Sequence, residues 1–256
     1  GVAVPGDPAV PRDPEQQQLV MAGVVALGKN VWRIPTAGDY INSFVFAEDD
    51  GSLTLVDTGM FFAHKRIVAG LAQIGRHPFD IQRIILTHAH SDHVGSAAKI
   101  LQRSSAQGAH VHADDAALVR SGKPAPASGR LGGLLQHLPG MTYRPVPVVS
   151  ELADGQELAV AGTMTVMHTP GHTPGHVSLL HRDSGVLITG DSIFNMNHKL
   201  SWPVAGVCTD FPLNRVTAAV LADADYSIAG FTHGPHIADR AREEVRGFLR
   251  REGVVR

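Results

Sequence analysis

The sequence predicts an α/β sandwich: two mixed sheets packed face to face, with helices on the outer faces, an αββα order of layers. Three observations carry that expectation. Strand-like runs give way to helical ones, and the alternation occurs twice with no linker between the halves. The segment Arg83-Ile84-Ile85-Leu86-Thr87 has the apolar centre of a short parallel strand buried on both faces. The chain has 256 residues, 43% hydrophobic and 18% charged, enough for one large core. The expected organisation is an N-terminal arm over residues 1–18 and a single domain over residues 19–256.

The elements follow in order. Pro5, Pro8, Pro11 and Pro14 recur every three residues, which favours an extended polyproline-type arm or a disordered tail. Residues 24–34, 42–47 and 53–57 are β-rich, punctuated by Gly38-Asp39 and Asp49-Asp50-Gly51. Residues 61–74 have helical spacing through Ile67, Leu71 and Ile74. After the strand at 83–87 come a helix at 94–101, a strand at 109–112 and a helix at 113–119. Ten Gly and Pro residues between 121 and 150 mark a surface loop or lid. Strand patterns return at 157–160, 164–168, 176–181 and 186–189. An irregular stretch over 191–212 precedes a helix at 213–221, a strand at 226–229 and a last helix at 237–250.

Bulk chemistry removes several function classes. The formal net charge is −2, and Lys and Arg are scattered singly, so no nucleic-acid partner is expected. The single cysteine, Cys208, excludes an internal disulfide and a Cys-based zinc cluster. Read alone, it is a small buried hydrophobe. The apolar run at 19–27 is too short to span a bilayer and has no basic flank before it, so no membrane association is expected. The expected location is the cytoplasm, with secretion after signal cleavage as the alternative. A small-molecule substrate and a monomeric or homodimeric state complete the expectation.

The chemistry lies in the fifteen histidines, several of which cluster. In Thr87-His88-Ala89-His90-Ser91-Asp92-His93, four metal-ligand side chains fall within six residues, directly after the buried strand. In extended chain His88 and His90 project to one side. Ser91 is a good N-cap, which puts Asp92 and His93 on the first turn of the next helix. Two ligands thus face one point and two a neighbouring point. Imidazole and carboxylate donors suit zinc, and also iron or manganese.

That segment resembles the HxHxDH signature of the metallo-β-lactamase superfamily, and four further landmarks stand in the family's order. Leu55-Val56-Asp57-Thr58-Gly59 is similar to the first motif and Thr169-Pro170-Gly171-His172 to the third. Thr189-Gly190-Asp191-Ser192 is similar to the fourth, and His233-Gly234-Pro235 to the fifth. The resemblance implies the metallo-β-lactamase fold and two divalent metal ions, zinc first. One would be held by His88, His90 and His172, and the other by Asp92, His93 and His233, with Asp191 as the bridge. It also implies that Asp57 orients the site from behind and that a metal-bridging hydroxide attacks the substrate. His176 is expected to pack or hydrogen-bond beneath the metals. His236 is the rival of His233, which directly precedes Gly-Pro as the family motif does. His110, His112 and His168 have a structural reading.

Departures from the family pattern narrow the substrate. True metallo-β-lactamases usually place cysteine or serine where this chain has Asp191. Glyoxalase II carries a C-terminal helical domain, whereas 23 residues follow His233. The expectation is a hydrolase of a carbonyl ester or lactone, similar to the lactonases of this fold, with Asp92 as the catalytic proton carrier. Phe194, Met196 and Trp202 are expected to line the substrate pocket. The tyrosine that lactonases often carry after the bridging aspartate is missing. The alternatives are a glyoxalase II-like thioester hydrolase, a β-lactam hydrolase, and a mononuclear iron enzyme of the persulfide dioxygenase type. A non-catalytic metal-binding relative usually loses ligands, and this chain keeps all seven.

Overall fold

The computed structural model describes residues 23–129 and 142–256. The arm over 1–18 and part of the expected loop, residues 130–141, lie outside them.

The β-rich run expected over 24–34 is a hairpin. Val25–Gly28 (β1) and Val31–Pro35 (β2) pair antiparallel across a turn in which Asn30 takes φ 61°, a left-handed conformation that asparagine tolerates. Asn42–Ala47 (β3) and Leu53–Val56 (β4) extend the sheet antiparallel. The helix expected over 61–74 begins later, as His64–Gln73 (α1), and buries Ile67, Gly70 and Leu71. Phe61 and Phe62 stay exposed ahead of it.

From there the sheet turns parallel. Ile81–Ile85 (β5) lies beside β4 and leads into Ser91–Val94 (α2) and Ala97–Leu101 (α3). Ala109–His112 (β6), Ala113–Ser121 (α4) and Val148–Leu152 (β7) complete a seven-stranded sheet in sequence order. The second sheet has the order β14-β11-β10-β9-β8. It is built from Glu157–Ala159 (β8), Thr163–His168 (β9), Val177–His181 (β10) and Val186–Ile188 (β11). Its last strand, β14 (Ile228–Gly230), lies parallel to β11.

The stretch expected to be irregular holds a further hairpin, Phe194–Met196 (β12) with Lys199–Ser201 (β13). Its turn residues Asn197 and His198 both have positive φ, 53° and 59°, the backbone of a type I′ hairpin turn. The helix expected over 213–221 is two short ones, Phe211–Thr217 (α5) and Val220–Asp223 (α6), and the last helix is Ala241–Arg251 (α7).

Three apolar layers follow from this order. One cluster fills the space between the first sheet and α1, α3 and α4, through Ile67, Leu71, Ile100 and Val119. The second joins the two sheets through Phe44, Phe46, Val166 and Leu179. The third sits under α6 and α7, through Leu221, Phe231, Val245 and Leu249. The αββα sandwich expected from the sequence is the observed fold. Truncating Phe44, fully buried between the sheets, would cost about 3–5 kcal/mol.

The topology also explains where chemistry collects. Asp57 follows β4, His88 to His93 follow β5, His172 follows β9, Asp191 follows β11, and His233 follows β14. β4 and β5 run parallel, as do β11 and β14, and β9 runs the same way as β11 because both are antiparallel to β10. All five segments therefore leave the carboxyl ends of their strands, the side of an α/β sheet where ligands bind.

Candidate metal centre

Asp57 begins the site. It leaves β4 at φ 57° with no exposed surface, and its N–H bonds the Ile85 carbonyl. Its Oδ1 accepts from the Thr87 N–H at 2.8 Å, and its Oδ2 from the Thr87 hydroxyl and His93 Nδ1, each at 2.8 Å. The Thr87 hydroxyl, its proton given to Asp57, can accept from His88 Nδ1 at 3.0 Å. His88 and His93 are thus both protonated at Nδ1, and each presents Nε2 forward. The next residues of that motif must turn tightly. Gly59 has φ +63°, and a Cβ there would meet Ala63 Cβ at 2.6 Å and Thr36 Oγ1 at 2.8 Å, so only glycine fits.

The cap of α2 falls one residue before the expected one. His90 occupies the N-cap position in extended backbone, and Ser91 opens the helix without a side-chain cap bond. Asp92 and His93 still lie on the first turn.

Asp191 stands at the centre. Its Oδ2 is 3.1 Å from His172 Nε2, 3.4 Å from His233 Nε2 and 3.8 Å from His88 Nε2. Its Oδ1 is 3.4 Å from His93 Nε2 and 2.7 Å from the Thr232 hydroxyl. His176, expected beneath the metals, accepts the Asp191 backbone N–H at Nε2, 2.7 Å, and turns Nδ1 toward Thr169. It holds the carboxylate from its backbone side.

Around Asp191 the expected ligands form two pockets. His90 Nδ1 lies 2.9 Å from His172 Nε2, with His88 beside them. Asp92 Oδ2 lies 3.3 Å from His233 Nε2 and 3.8 Å from His93 Nε2. Within each of the groups His88/His90/His172, His88/His93/Asp191 and Asp92/His93/His233, the ligand atoms lie within 4.8 Å of one another. A metal is the natural partner for this geometry. His88 Nε2 and His93 Nε2 are buried with no hydrogen-bond partner, and an unpaired buried polar atom is costly. Neutral imidazoles and carboxylates in such a set suit zinc, iron or manganese.

The electrostatics of the pockets differ. Burial pushes the His90 imidazole down to about 3, reinforced by His172. Burial, with His93 nearby, holds His88 well below its usual range. Burial also works against the charged forms of His93 and His233, but the neighbouring carboxylates outweigh it. His93 is raised by Asp191, Asp92 and Asp57, and His233 is raised to about 10, chiefly by Asp191 and Asp92. Asp191 is buried too, yet His233, His93 and His172 hold it well below the carboxylate range.

Four supports escape sequence reasoning. Asp115, fully buried at the start of α4, accepts from the Ala89 N–H at 2.8 Å, the Thr173 hydroxyl at 2.7 Å and the Gly175 N–H at 2.7 Å. It clamps the His88–His90 loop to the His172 loop. The Tyr40 carbonyl faces His233 Nδ1 at 2.8 Å, and Asn42 Nδ2 donates to the carbonyls of Phe231 and Gly234. Cys208 is buried as expected, but its Sγ also lies 3.4 Å from His172 Nδ1.

The expected pocket residues separate. The Phe194 ring packs on His233, centroids 4.4 Å apart. Met196 lines a cavity of about 210 Å³ with Tyr40, His198, Gly234 and Pro235. Trp202 is placed elsewhere: its indole donates to Glu252 Oε2 at 2.8 Å and packs on Phe248 of α7. The β12–β13 hairpin carries it away from the strand ends and into the C-terminal core. His236 belongs to none of the ligand groups around Asp191.

Residues 36–236 match the sequence profile of the metallo-beta-lactamase superfamily. The protein YobT of Bacillus subtilis is 30% identical over 213 residues, covering 77% of this chain and 86% of that protein. The probable metallo-hydrolase YybB of the same organism is 28% identical over 198 residues, covering 75% and 80%. A metallo-beta-lactamase family protein of Thermus thermophilus shares the fold, with a TM-score of 0.70 at 24% identity over 89% of this chain and 81% of that one.

Proposed function

The chain belongs to the metallo-beta-lactamase superfamily, and on that premise we propose that it is a hydrolase of carbonyl esters or lactones that works with two divalent ions, zinc first. The observation that carries this reading is the position of Asp191 Oδ2, within 3.1–3.8 Å of imidazole nitrogens from both pockets. One carboxylate shared between two cations offsets their repulsion. His88, His90 and His172 would hold one ion, and Asp92, His93 and His233 the other. When bound, such ions acidify water to near neutral pH and stabilise developing negative charge on a carbonyl oxygen.

The chain's own residues then decide which bond suits the site. Asp92 keeps part of its carboxylate open, with 29% of the side chain exposed. His93 and His233 hold its pKa down against burial, so it is ionised. It takes the proton from the attacking water and passes it on to the departing oxygen. An amide nitrogen must be protonated as it leaves, which calls for a second acid. Tyr143, whose hydroxyl lies 3.5 Å from the Ala89 carbonyl of the ligand loop, donates its proton to the Lys123 carbonyl at 2.6 Å, and burial raises its pKa. Alkoxide leaving groups make the smaller demand, which supports esters and lactones over lactams.

In this reading the substrate is a small molecule, nucleic acid is not a partner, and the enzyme works in the cytoplasm. Among the described residues no helix is long and apolar enough to cross a membrane. The deciding measurement is kcat/KM on matched lactone, ester, lactam, phosphodiester and glutathione-thioester substrates, with metal content determined on the same sample. Preference for a lactone or ester with two zinc ions per chain is the expected result. Preference for any of the last three overturns it, and one iron per chain points instead to the persulfide dioxygenase type.

A further inference from the structure

A second group of metal-type side chains lies outside the cluster around Asp191. His112 ends β6, Asp114 lies in the first turn of α4, and His168 ends β9. The two imidazoles stack with centroids 3.8 Å apart and planes 15° from parallel. Asp114 Oδ2 is 3.6 Å from His112 Nδ1 and 3.9 Å from His168 Nε2. One ligand atom from each residue falls within 4.8 Å of the others. These separations match those of the second pocket, where Asp92 Oδ2 stands 3.3 Å and 3.8 Å from its imidazole nitrogens.

The hydrogen bonds say which lone pairs are on offer. The Asp114 N–H donates to His112 Nδ1 across a long 3.3 Å, so that nitrogen is unprotonated and an ion would take its lone pair in exchange for this weak cap bond. His168 Nε2 faces the Pro174 carbonyl oxygen at 2.9 Å. In the metal-free protein the nitrogen donates to that oxygen. Moving the ring proton to Nδ1 leaves Nε2 with a free lone pair next to a carbonyl oxygen, two ligands in place of one hydrogen bond. Two imidazole nitrogens, a carboxylate and a carbonyl make a set of borderline hardness that suits zinc.

We propose that His112, Asp114, His168 and the Pro174 carbonyl form a third metal site, which takes one ion of the zinc class independently of the pair around Asp191. It is the weaker site. Asp114 is more than half exposed, with 56% of the side chain accessible, and the amino end of α4 contributes a partial positive charge that opposes a cation. The ion would tie the ends of β6 and β9 to Pro174, in the loop that carries His172.

Equilibrium dialysis of the full chain against zinc alone, with elemental analysis, tests the assignment. Uptake should approach three equivalents at high free zinc and fall to two as free zinc is lowered. Asp114→Ala, at an exposed position, should lose one equivalent and keep the first two. His168→Gln should do the same, since its amide still donates to Pro174 and preserves the turn. Asp191→Ala should retain the weak site, so a failure of the dinuclear reading is distinguishable from a failure of this one. Saturation of the unmodified chain at two equivalents overturns the proposal. So does a third equivalent that neither Asp114→Ala nor His168→Gln removes, because that ion binds elsewhere and the stacked pair is a purely structural pillar.

Discussion

The two pockets that meet at Asp191 differ by one ligand, three imidazoles in the first against two imidazoles and the Asp92 carboxylate in the second, and they are supported differently. Behind the metal-facing nitrogens, His88 and His172 of the first pocket are backed by groups without formal charge, namely the Thr87 hydroxyl at His88 Nδ1 and the Cys208 sulfur at His172 Nδ1. The carboxylate that serves this pocket, Asp115, grips backbone and hydroxyl and touches none of the three rings. His93 is backed by a carboxylate, Asp57 at Nδ1, and although the Tyr40 carbonyl stands behind His233, the Asp92 and Asp191 carboxylates crowd its Nε2. Without metal, His88 and His90 of the first pocket are neutral imidazoles, while His93 and His233 of the second are protonated. His88 and His90 can receive a cation with little proton release, whereas His93 and His233 must exchange protons for theirs.

The largest effect expected is at the group the pockets share. Asp191→Ala removes a carboxylate within reach of both, so metal content should fall and turnover should be abolished. A variant that keeps two ions and full rate would show that the pockets are held independently and that Asp191 is no bridge.

Next in size is the response to pH, which separates the pockets without mutation. In metal-free protein, His90 and His176 are lowered to about 3 and His88 is also lowered, all by burial first. The unfolded chain binds those protons near 6.5 and the folded chain does not, so stability should fall as pH drops from about 6.5 toward 3. His93 and His233 act with the opposite sign. Their charged forms stabilise the fold fully below about 6.5, and that contribution is lost as pH rises through His233's value of about 10. Urea denaturation of chelator-treated protein should therefore show a stability maximum with an acid limb and an alkaline limb. Zinc binding should remove the alkaline limb, since metal replaces the protons on His93 and His233. Calorimetry in two buffers of different ionisation enthalpy should find the larger proton release with the second ion. Equal release for both ions would erase the contrast.

Mutation of the supports sharpens the same point. Asp57→Asn should weaken the second pocket by about 10- to 100-fold in zinc affinity, the usual cost of losing an outer partner of a ligand, and the first by less, through Thr87 and His88. Asp115→Asn should weaken the first by about 10- to 100-fold. Crossed effects of equal size would mean that the two carboxylates merely stabilise the fold.

What the sequence could show about these supports depends on how far apart their partners lie. His88, His90, Asp92 and His93 are legible because four ligands within six residues constrain one another. Asp115 is not, since its partners Ala89, Thr173 and Gly175 lie 26, 58 and 60 residues away and two of the three bonds come from backbone N–H groups. The Tyr40 carbonyl, 193 residues from His233, leaves no side-chain signature at all. The αββα layering was readable from alternating periodicity, but the β12–β13 hairpin was not. Its turn, Asn197-His198, lacks the glycine that usually marks such a turn. Missing that hairpin placed Trp202 at a substrate wall, when the turn in fact sends it back to α7.

The smallest effect expected falls on one donor to the Asp115 clamp. Thr173→Val keeps the shape of the side chain and removes only the hydroxyl that bonds Asp115 Oδ2 at 2.7 Å. Oδ2 keeps the Ala89 N–H, and Oδ1 keeps the Gly175 N–H, so the carboxylate stays partly satisfied. A hydrogen bond to a charged group is worth about 1.5–3 kcal/mol, and the lower end applies where other donors remain. Stability should therefore fall by about 1.5 kcal/mol in urea denaturation. Zinc affinity of the first pocket should drop only a few-fold, because the His172 loop loosens at one of its two ties to Asp115. Thr173→Ser restores the hydroxyl and should recover the affinity, if not all of the stability. A purely structural clamp would give the stability loss in Thr173→Val with zinc affinity unchanged in both variants, and the first pocket would then owe its geometry to burial alone.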